Sequence, residues 1–342
     1  MKKKHIIITF LITLGALYYT FKNITFSELL KALSTVNYIS LLPAILIIVL
    51  TYFFRAIRWK YLVAPLKNGV KTSSLFSPLM IGFMGNLLPA RAGEFIRAYL
   101  LGKKENLSFS VSFATVFVER LFDILCLMLI MTWLLVFRAD IFLSAGNFKD
   151  VAVVSILRKF GLMTFILSIG IVIFSYLLLH FREKMLNIIR FIVKPFPERF
   201  SYRLIEFINS FAQGLGILND IKSLFLISIL SAIIWVFMIG SYYPFYLAFG
   251  FNELPYISIL VLTVVVGVLI SLFPTPGFLG SYQAACVIGL HEIYKVPEVA
   301  AVNFGIITWF IQMGTVFVLG LFFIFRENIS FKELTKGAMS NE

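Results

Sequence analysis

The most constraining feature of the sequence is a succession of apolar segments that are about as long as a membrane is thick. Six are predicted to span a bilayer, although the first two are short: residues 6–21, 39–54, 109–137, 160–181, 224–250 and 303–325. An α-helix needs about 20 residues to cross the hydrocarbon core. Only 14% of the residues are charged, whereas a soluble domain carries about a quarter. The sequence therefore predicts an all-α polytopic membrane protein, with residues 1–342 forming a single integral membrane domain.

Two further apolar stretches are interrupted near their middle. Residues 75–101 are broken at 89–93, and residues 256–290 are broken at 274–277. Proline removes a backbone donor and glycine loosens a helix, so each stretch should bend back on itself. We predict two re-entrant helical hairpins, which with the six spans make eight apolar elements.

The distribution of basic residues predicts the orientation of these elements. With the N-terminus in the cytoplasm, the basic residues inside include Arg55 and Arg58, in the loop after the second span. Basic residues inside then outnumber those outside by about three to one. Both termini are then cytoplasmic, in the plasma (inner) membrane. No cleavage site follows the first apolar run, so we predict a retained span rather than a signal peptide. The net charge of +13 is spread between spans, which argues against binding of nucleic acid.

The order of elements indicates an internal repeat. Residues 1–137 and 160–325 each read as two spans, a hairpin and a span, in opposite orientations. Inverted repeats with broken helices are a common transporter plan; chance similarity of two proline turns is the alternative. Residues 182–222 form a cytoplasmic amphipathic connector, which we interpret as a packing linker between the halves.

Charged residues on the first hairpin are the leading candidates for a binding site. Charges at membrane depth are costly and usually face a cavity or each other. If a helix begins near Gly93, its free N–H groups point toward the hairpin tip, and with Arg91 adjacent to that tip they would form a site for a phosphate. Glu94 and Arg97 follow on the same arm. The alternative is that Arg91 pairs with an acid and only holds the hairpin.

The third predicted span carries Glu119, Arg120 and Asp123 within one broad helix face. Two acids and one base leave a spare carboxylate, which we expect to balance Arg91 or to accept a proton during transport. An intramembrane ion-pair cluster that holds the bundle together is the equal alternative.

The second hairpin offers uncharged donors beside its break. These candidates share a place at or after the interruption: Pro274, Gly277, Gly280, Ser281, Tyr282 and Gln283. Hydroxyl and amide donors next to a helix start suit an oxyanion. Asn86 and Gln312 are placed in the same predicted cavity, with ordinary interhelical hydrogen bonding as the alternative.

Several chemistries have no motif in the sequence. It contains no phosphate-cradling nucleotide loop, no metal-ligand cluster and no nucleophile elbow. Cys126 and Cys286 lie in apolar segments and are interpreted as structural. We therefore predict no catalytic residue, no metal and no cofactor.

Three motifs together resemble a known family. They are residues 86–97 (NLLPARAGEFIR), residues 119–123 (ERLFD), and Pro274–Gly277 followed by Gly280 and Ser281. This pattern resembles the lysylphosphatidylglycerol synthase transmembrane-region family, also called flippase-like. In bifunctional members, this module is joined to a cytoplasmic aminoacyl-transferase domain, which we do not expect in this chain. The resemblance implies binding or translocation of an anionic, modified or polyprenyl-linked lipid rather than aminoacylation.

Two hypotheses of different class follow. The first is a lipid transporter whose hairpin tips bind the phosphate of a head group. The second is a membrane enzyme or accessory subunit acting on lipids or lipid-linked glycans. A weaker third is a scaffold that binds partners through 182–222. The expected partners are membrane lipids with anionic head groups; a homo-oligomer and a separate lipid-modifying enzyme stay open.

Overall fold

The chain folds almost entirely into helices. A computed structural model describes residues 3–22, 24–88, 92–144, 147–148, 151–273 and 275–330. The α-helices of the first part are α1 Lys3–Phe21, α2 Phe26–Ser34, α3 Leu42–Val63, α4 Thr72–Gly85, α5 Gly93–Glu105, α6 Phe109–Phe137 and α7 Ala139–Ser144. Those of the second part are α8 Val153–His180, α9 Arg182–Val193, α10 Glu198–Gly214, α11 Ile221–Gly240, α12 Tyr242–Ala248, α13 Ile257–Leu272, α14 Ser281–Cys286 and α15 Glu298–Arg326.

Short irregular elements complete the fold. Two-residue strands, β1 Asn147–Phe148 and β2 Val151–Ala152, pair antiparallel between α7 and α8. Single turns of 3₁₀-helix occur at Tyr38–Leu41, Leu215–Asn219 and Pro276–Phe278, and a π-helical turn covers Val287–Glu292.

The expectation of a polytopic helical membrane protein is confirmed. Within the described residues, four segments are long and apolar enough to cross a membrane: Tyr38–Val63, Phe109–Phe137, Ile221–Ala248 and Glu298–Arg326. Two shorter apolar helices are Leu11–Phe21 and Ile257–Leu272. Of the other predicted spans, 6–21 falls on α1, and 160–181 falls on α8, which begins at Val153.

The predicted end of the second span is wrong. We expected that span to stop at residue 54 and the basic residues after it to lie in a cytoplasmic loop. Instead, α3 continues without a break to Val63, and Arg55 and Arg58 lie buried within it. The helix can continue because acidic partners on α6 compensate these cations, a tertiary effect that local hydropathy does not reveal.

The first broken stretch forms two short helices packed at very close range. Helices α4 and α5 contain 14 and 13 residues, about 21 and 20 Å, so neither crosses a 30 Å core upright. A Cβ added at Gly93 would lie 1.9 Å from the carbonyl oxygen of Gly82. One added at Gly85 would lie 2.9 Å from the Cα of Gly93. These glycines therefore allow the two backbones to touch.

The second broken stretch meets the first. Gly277 and Gly280 adopt positive φ angles of 56° and 84°, which a residue with a Cβ rarely adopts. The Gly277 N–H donates to the carbonyl oxygen of Asn86, at 2.9 Å, and the Trp309 indole N–H donates to the Gly277 carbonyl, at 2.7 Å. The two interruptions are thus joined by a backbone hydrogen bond and held by α15.

The connector contains two helices, α9 and α10, and α10 packs on α6. A Cβ added at Gly214 would lie 2.4 Å from the Cβ of Ala114 and 2.7 Å from the Val111 carbonyl oxygen. Phe211 is buried and its ring meets that of Phe117 edge-on. The apolar face of α10 therefore covers the start of α6, the helix that carries the predicted charged residues.

Candidate functional site

A cluster of four arginines and three carboxylates lies inside the helical bundle. Its members come from three helices, and we call this set the charge cluster: Arg55 and Arg58 from α3, Glu94 and Arg97 from α5, and Glu119, Arg120 and Asp123 from α6. On each helix, residues three or four apart share a face, so each helix presents its charges to the other two. Arg120 lies about 16 Å along α6 from its first residue, which is well within the length of the helix.

Glu119 is the centre of the cluster. Its side chain is fully buried, and Arg97 binds it through two hydrogen bonds, of 2.9 and 2.6 Å. Oε1 of Glu119, which accepts one of these bonds, also lies 2.6 Å from Nη2 of Arg120 and 3.3 Å from Nη2 of Arg58. Arg55 approaches this oxygen to 3.7 Å. One carboxylate thus serves four guanidiniums, and a two-pronged Arg97 fork fixes its orientation.

Asp123 joins the same arginines one helical turn further along α6. Its oxygens lie 2.8 Å from Arg58, 3.2 Å from Arg55 and 3.2 Å from Arg120. The Nη1 of Arg58 also donates to the hydroxyl of Ser231, at 2.9 Å. Through that bond, helix α11 of the second half is tied to the cluster.

Aromatic rings enclose the guanidiniums. The Arg97 guanidinium lies 3.7 Å from the centre of the Trp59 ring, and Trp59 donates its own N–H to the Thr115 hydroxyl, at 2.9 Å. Phe83 of α4 lies within 5.4 to 5.9 Å of three guanidiniums: Arg55, Arg97 and Arg120. Such faces stabilise cations where water is scarce.

Charge and exposure are unevenly distributed in the cluster. Four guanidiniums face three carboxylates, so the assembly carries one positive charge in excess. Glu119 has no exposed surface, but the side chains of Arg120 and Glu94 are 30% and 29% exposed. Their contact is the longest in the cluster, at 3.8 Å, and Nε of Arg120 makes no hydrogen bond. Glu94 directly follows Gly93, so this exposed edge borders the first break.

The expectation of a spare carboxylate on α6 is wrong. Both Glu119 and Asp123 are engaged by several arginines, and the excess is of positive charge. The ion-pair alternative describes what these residues do in the structure. The error arose because Arg55 and Arg58 were placed in a loop, so two cations were missing from the balance.

The predicted donors of the second hairpin are hydrogen-bonded within the protein. The Ser281 hydroxyl lies 2.9 Å from that of Thr275, and the Gln283 side-chain oxygen accepts from the Gly280 N–H, at 2.7 Å. Tyr282 lies buried, with its hydroxyl 3.0 Å from Nε2 of Gln312 and 3.0 Å from the hydroxyl of Tyr242. These residues stabilise the break and link α12, α14 and α15; their role in binding stays a prediction.

Two predicted site residues, Arg91 and Pro274, lie outside the described residues. The structure brings together Glu94, Arg97, Glu119, Arg120 and Asp123, and it places Gly93 beside them at the start of α5. In the part of the chain that is described, no three His, Cys, Asp or Glu side chains are grouped so as to hold a metal ion.

Sequence reasoning missed Arg55, Arg58, Trp59, Phe83 and Ser231. A signal for the first two was present: they lie three apart, directly after an apolar run, on the face that a continued helix would present. Arginines in that position need acidic partners, and Glu119 and Asp123 were the acids available. The aromatic and hydroxyl partners have no sequence signal of their own.

Comparisons with known proteins agree with the motifs. The sequence model of the lysylphosphatidylglycerol synthase transmembrane region matches residues 6–320. Two proteins of Methanothermobacter thermautotrophicus, each named UPF0104 membrane protein, are 25% and 27% identical. The alignments cover 80% and 87% of this chain and 81% and 86% of those proteins.

A partial relative carries a more specific name. Glycosyltransferase AglD of Haloferax volcanii is 31% identical over 129 residues, which is 37% of this chain and a fifth, 20%, of AglD. No solved structure matches the chain.

Proposed function

The chain belongs to the lysylphosphatidylglycerol synthase transmembrane-region family, and on that premise we propose that it binds the phosphate head group of an anionic or polyprenyl-linked lipid and moves it between leaflets. The observation that carries this proposal is the excess positive charge of the charge cluster, whose most exposed side chains are Arg120 and Glu94 beside the first break. The proposed location is the plasma membrane, with both termini in the cytoplasm.

Arg120 is suited to receive a phosphate. Its Nη2 is anchored by Glu119 and Asp123, at 2.6 and 3.2 Å, while its Nε faces Glu94 at 3.8 Å without a hydrogen bond. A phosphodiester oxygen that bound Arg120 beside Glu94 would meet a fixed guanidinium, and its single negative charge would neutralise the excess charge of the cluster. A planar guanidinium binds phosphate better than a point charge does because it donates two parallel hydrogen bonds.

The two breaks are proposed to be hairpin tips that enter from opposite faces, as halves of an inverted repeat. The hydrogen bond from Gly277 to the carbonyl oxygen of Asn86 supports this arrangement, since it joins one break to the other. In this proposal, the acyl chains stay in lipid while the head group passes the tips.

The test is head-group transfer in proteoliposomes. We expect Arg120→Gln to slow the transfer of fluorescent phosphatidylglycerol by tenfold or more. A charge-assisted hydrogen bond contributes about 1.5–3 kcal/mol, and 1.4 kcal/mol is a factor of ten. Arg138→Gln is the matched control, because Arg138 forms an exposed pair with Asp140 outside the cluster. Unchanged transfer in the Arg120 variant would refute the proposal.

Arg120→Lys separates charge from geometry. Lysine keeps the positive charge but not the fork, so we expect intermediate transfer, with the pairing to Glu119 kept. Unfolding of each variant is measured in detergent, so that a loss of transfer with unchanged stability reports on the site rather than on the fold.

The alternative is a membrane enzyme or accessory subunit in modification of lipid-linked glycans. The observation that favours it is the similarity to AglD, a protein named as a glycosyltransferase. Incubation of the purified chain with a lipid extract and sugar nucleotides distinguishes the two. New lipid-linked products without transfer between leaflets would support the enzyme, and transfer without new products would support the transporter.

A further inference from the structure

A cavity of about 490 Å³ lies at the opposite end of α4 from the charge cluster. It is bounded by the first turn of α4, the last turns of α5 and α15, and one side of α3. The residues that line it are Phe53, Thr72, Ser73, Ser74, Phe76, Lys104, Phe323, Arg326 and Glu327. Its volume is typical of a pocket that holds a small organic molecule.

The lining has two distinct chemistries. Three phenylalanines, Phe53, Phe76 and Phe323, form the apolar part, and the rings of Phe76 and Phe323 meet edge-on at 5.7 Å. Hydroxyl and charged side chains form the other part, where the helices end. Phe53 lies ten residues before the end of α3, about 15 Å along its axis. The cavity therefore runs from the helix ends toward the bilayer interior. Its lining changes from polar to apolar in the same order as the head group and acyl chains of a lipid.

Among the residues that the structure describes, Arg326 is the cation in the polar part of the lining that has no ion-pair partner. Lys104 pairs with Glu327, at 2.5 Å, so these two charges balance. Glu105 is turned to Lys67 and Ser74, at 2.8 and 2.9 Å, and does not line the cavity. Arg326 is exposed and has no ion-pair partner among the residues that the structure describes.

The surrounding charge has the same sign. Lys71 lies near the same helix ends, where Glu105 balances the charge of Lys67 and Glu327 balances that of Lys104. A local excess of basic residues at a membrane surface attracts anionic lipids. The hydroxyls of Thr72 and Ser73 stand at the rim as further donors.

From this geometry we propose that the cavity binds one anionic phospholipid at the membrane surface. Its phosphate is held by Arg326 and the hydroxyls of Thr72 and Ser73, and its acyl chains lie along Phe53, Phe76 and Phe323. The site shares no residue with the charge cluster, so it does not depend on transport. The apolar wall distinguishes a lipid from a free phosphate ester, which would use only the polar rim.

The test is lipid binding to the purified full chain, measured by native mass spectrometry. The chain is titrated with phosphatidylglycerol and with phosphatidylcholine. We expect Arg326→Gln to weaken binding of one phosphatidylglycerol by fivefold or more and to leave phosphatidylcholine unchanged. Arg190→Gln is the matched control, since Arg190 is an exposed arginine on α9, and it should bind as the wild type does. Equal loss in both variants would overturn the proposal, because it would report bulk charge.

Further variants and a competition experiment test whether the lipid binds at this cavity. Ser73→Trp places a large side chain at the rim, and because Ser73 is exposed the fold should tolerate it. We expect this variant to lose the same lipid, and wild-type binding in it would contradict the site. Competition by soluble glycerol phosphate as strong as that by the lipid would also overturn the proposal. Arg120→Gln should keep this lipid, which separates failure of this site from failure of the transport proposal.

Discussion

Replacing Glu119 with glutamine tests whether the charge cluster depends on a central anion. Glutamine has nearly the same shape, but the substitution leaves four guanidiniums with two carboxylates, Asp123 and Glu94. The cluster then carries two excess positive charges instead of one. Removing one partner of a buried ion pair costs about 3–5 kcal/mol, because the remaining charge stays buried and uncompensated. We expect Glu119→Gln to lower the free energy of unfolding by that amount, since Glu119 is wholly buried and contacts all four arginines.

The assay is equilibrium unfolding in mixed micelles with a rising fraction of dodecyl sulfate, followed by circular dichroism. The matched control is Glu206→Gln, an exposed glutamate on α10, for which a change within about 0.5 kcal/mol is expected. A Glu119 variant as stable as this control would refute the reasoning that a buried anion is required.

A double-mutant cycle isolates the pair. Arg97→Gln combined with Glu119→Gln returns the cluster to one excess charge, because a cation and an anion are removed together. Arg97 binds Glu119 through both of its terminal nitrogens, at 2.9 and 2.6 Å. We therefore expect the double variant to lose at least about 1 kcal/mol less than the sum of the single losses. Additive losses would show that the two side chains act independently.

Two further predictions concern the two ends of helix α5, Gly93 and Glu105. Gly93→Ala should cost about 3 kcal/mol or more, because its Cβ would lie 1.9 Å from the Gly82 carbonyl oxygen; Gly170→Ala, with open space around it, is the control in the same unfolding assay. Burial disfavours ionisation of Glu105, but the Lys67 ammonium and a hydroxyl outweigh it and lower the pKa of this carboxyl. The stability that this pair adds should therefore be present above the usual glutamate range and be lost as pH falls through the lowered value. Lys67→Gln should reduce that pH dependence, and an unchanged profile would contradict the pairing.

Much of the helical framework could be predicted from hydropathy alone. The predicted segment 109–137 coincides with α6, and the break before Gly93 marks the start of α5. Both are local effects: a long apolar run specifies a helix, and a proline followed by glycine interrupts one. The membrane character of the chain follows from the same local signal.

The balance of charge could not be predicted in the same way. Arg55 and Arg58 follow an apolar run, and local hydropathy treats such residues as the start of a loop. Their burial depends on Glu119 and Asp123, which lie more than sixty residues away on α6. Basic residues also set topology, so the same two arginines were counted as loop charges. When these two arginines are left out, basic residues predicted inside still outnumber those predicted outside. The charge cluster, however, depends on both of them.

In the second half of the chain, the polar contacts near the break are made by neutral side chains rather than by charged ones. Where α3, α5 and α6 bring arginines and carboxylates together, α12, α14 and α15 bring together the hydroxyls of Tyr242 and Tyr282 and the amide of Gln312. These groups bind one another without net charge, so they hold the second break in place but offer no electrostatic attraction to an anion. In the proposed function, the attraction for the anion comes from the first half, through Arg120. The hydrogen bond from Gly277 to Asn86 joins the two breaks, and a movement that separates them must lengthen it. If the proposed transport separates the two breaks, loss of this hydrogen bond costs about 0.5–1.5 kcal/mol, which binding of a phosphate can offset. We therefore expect head-group binding and conformational change to be coupled at the junction of the two breaks.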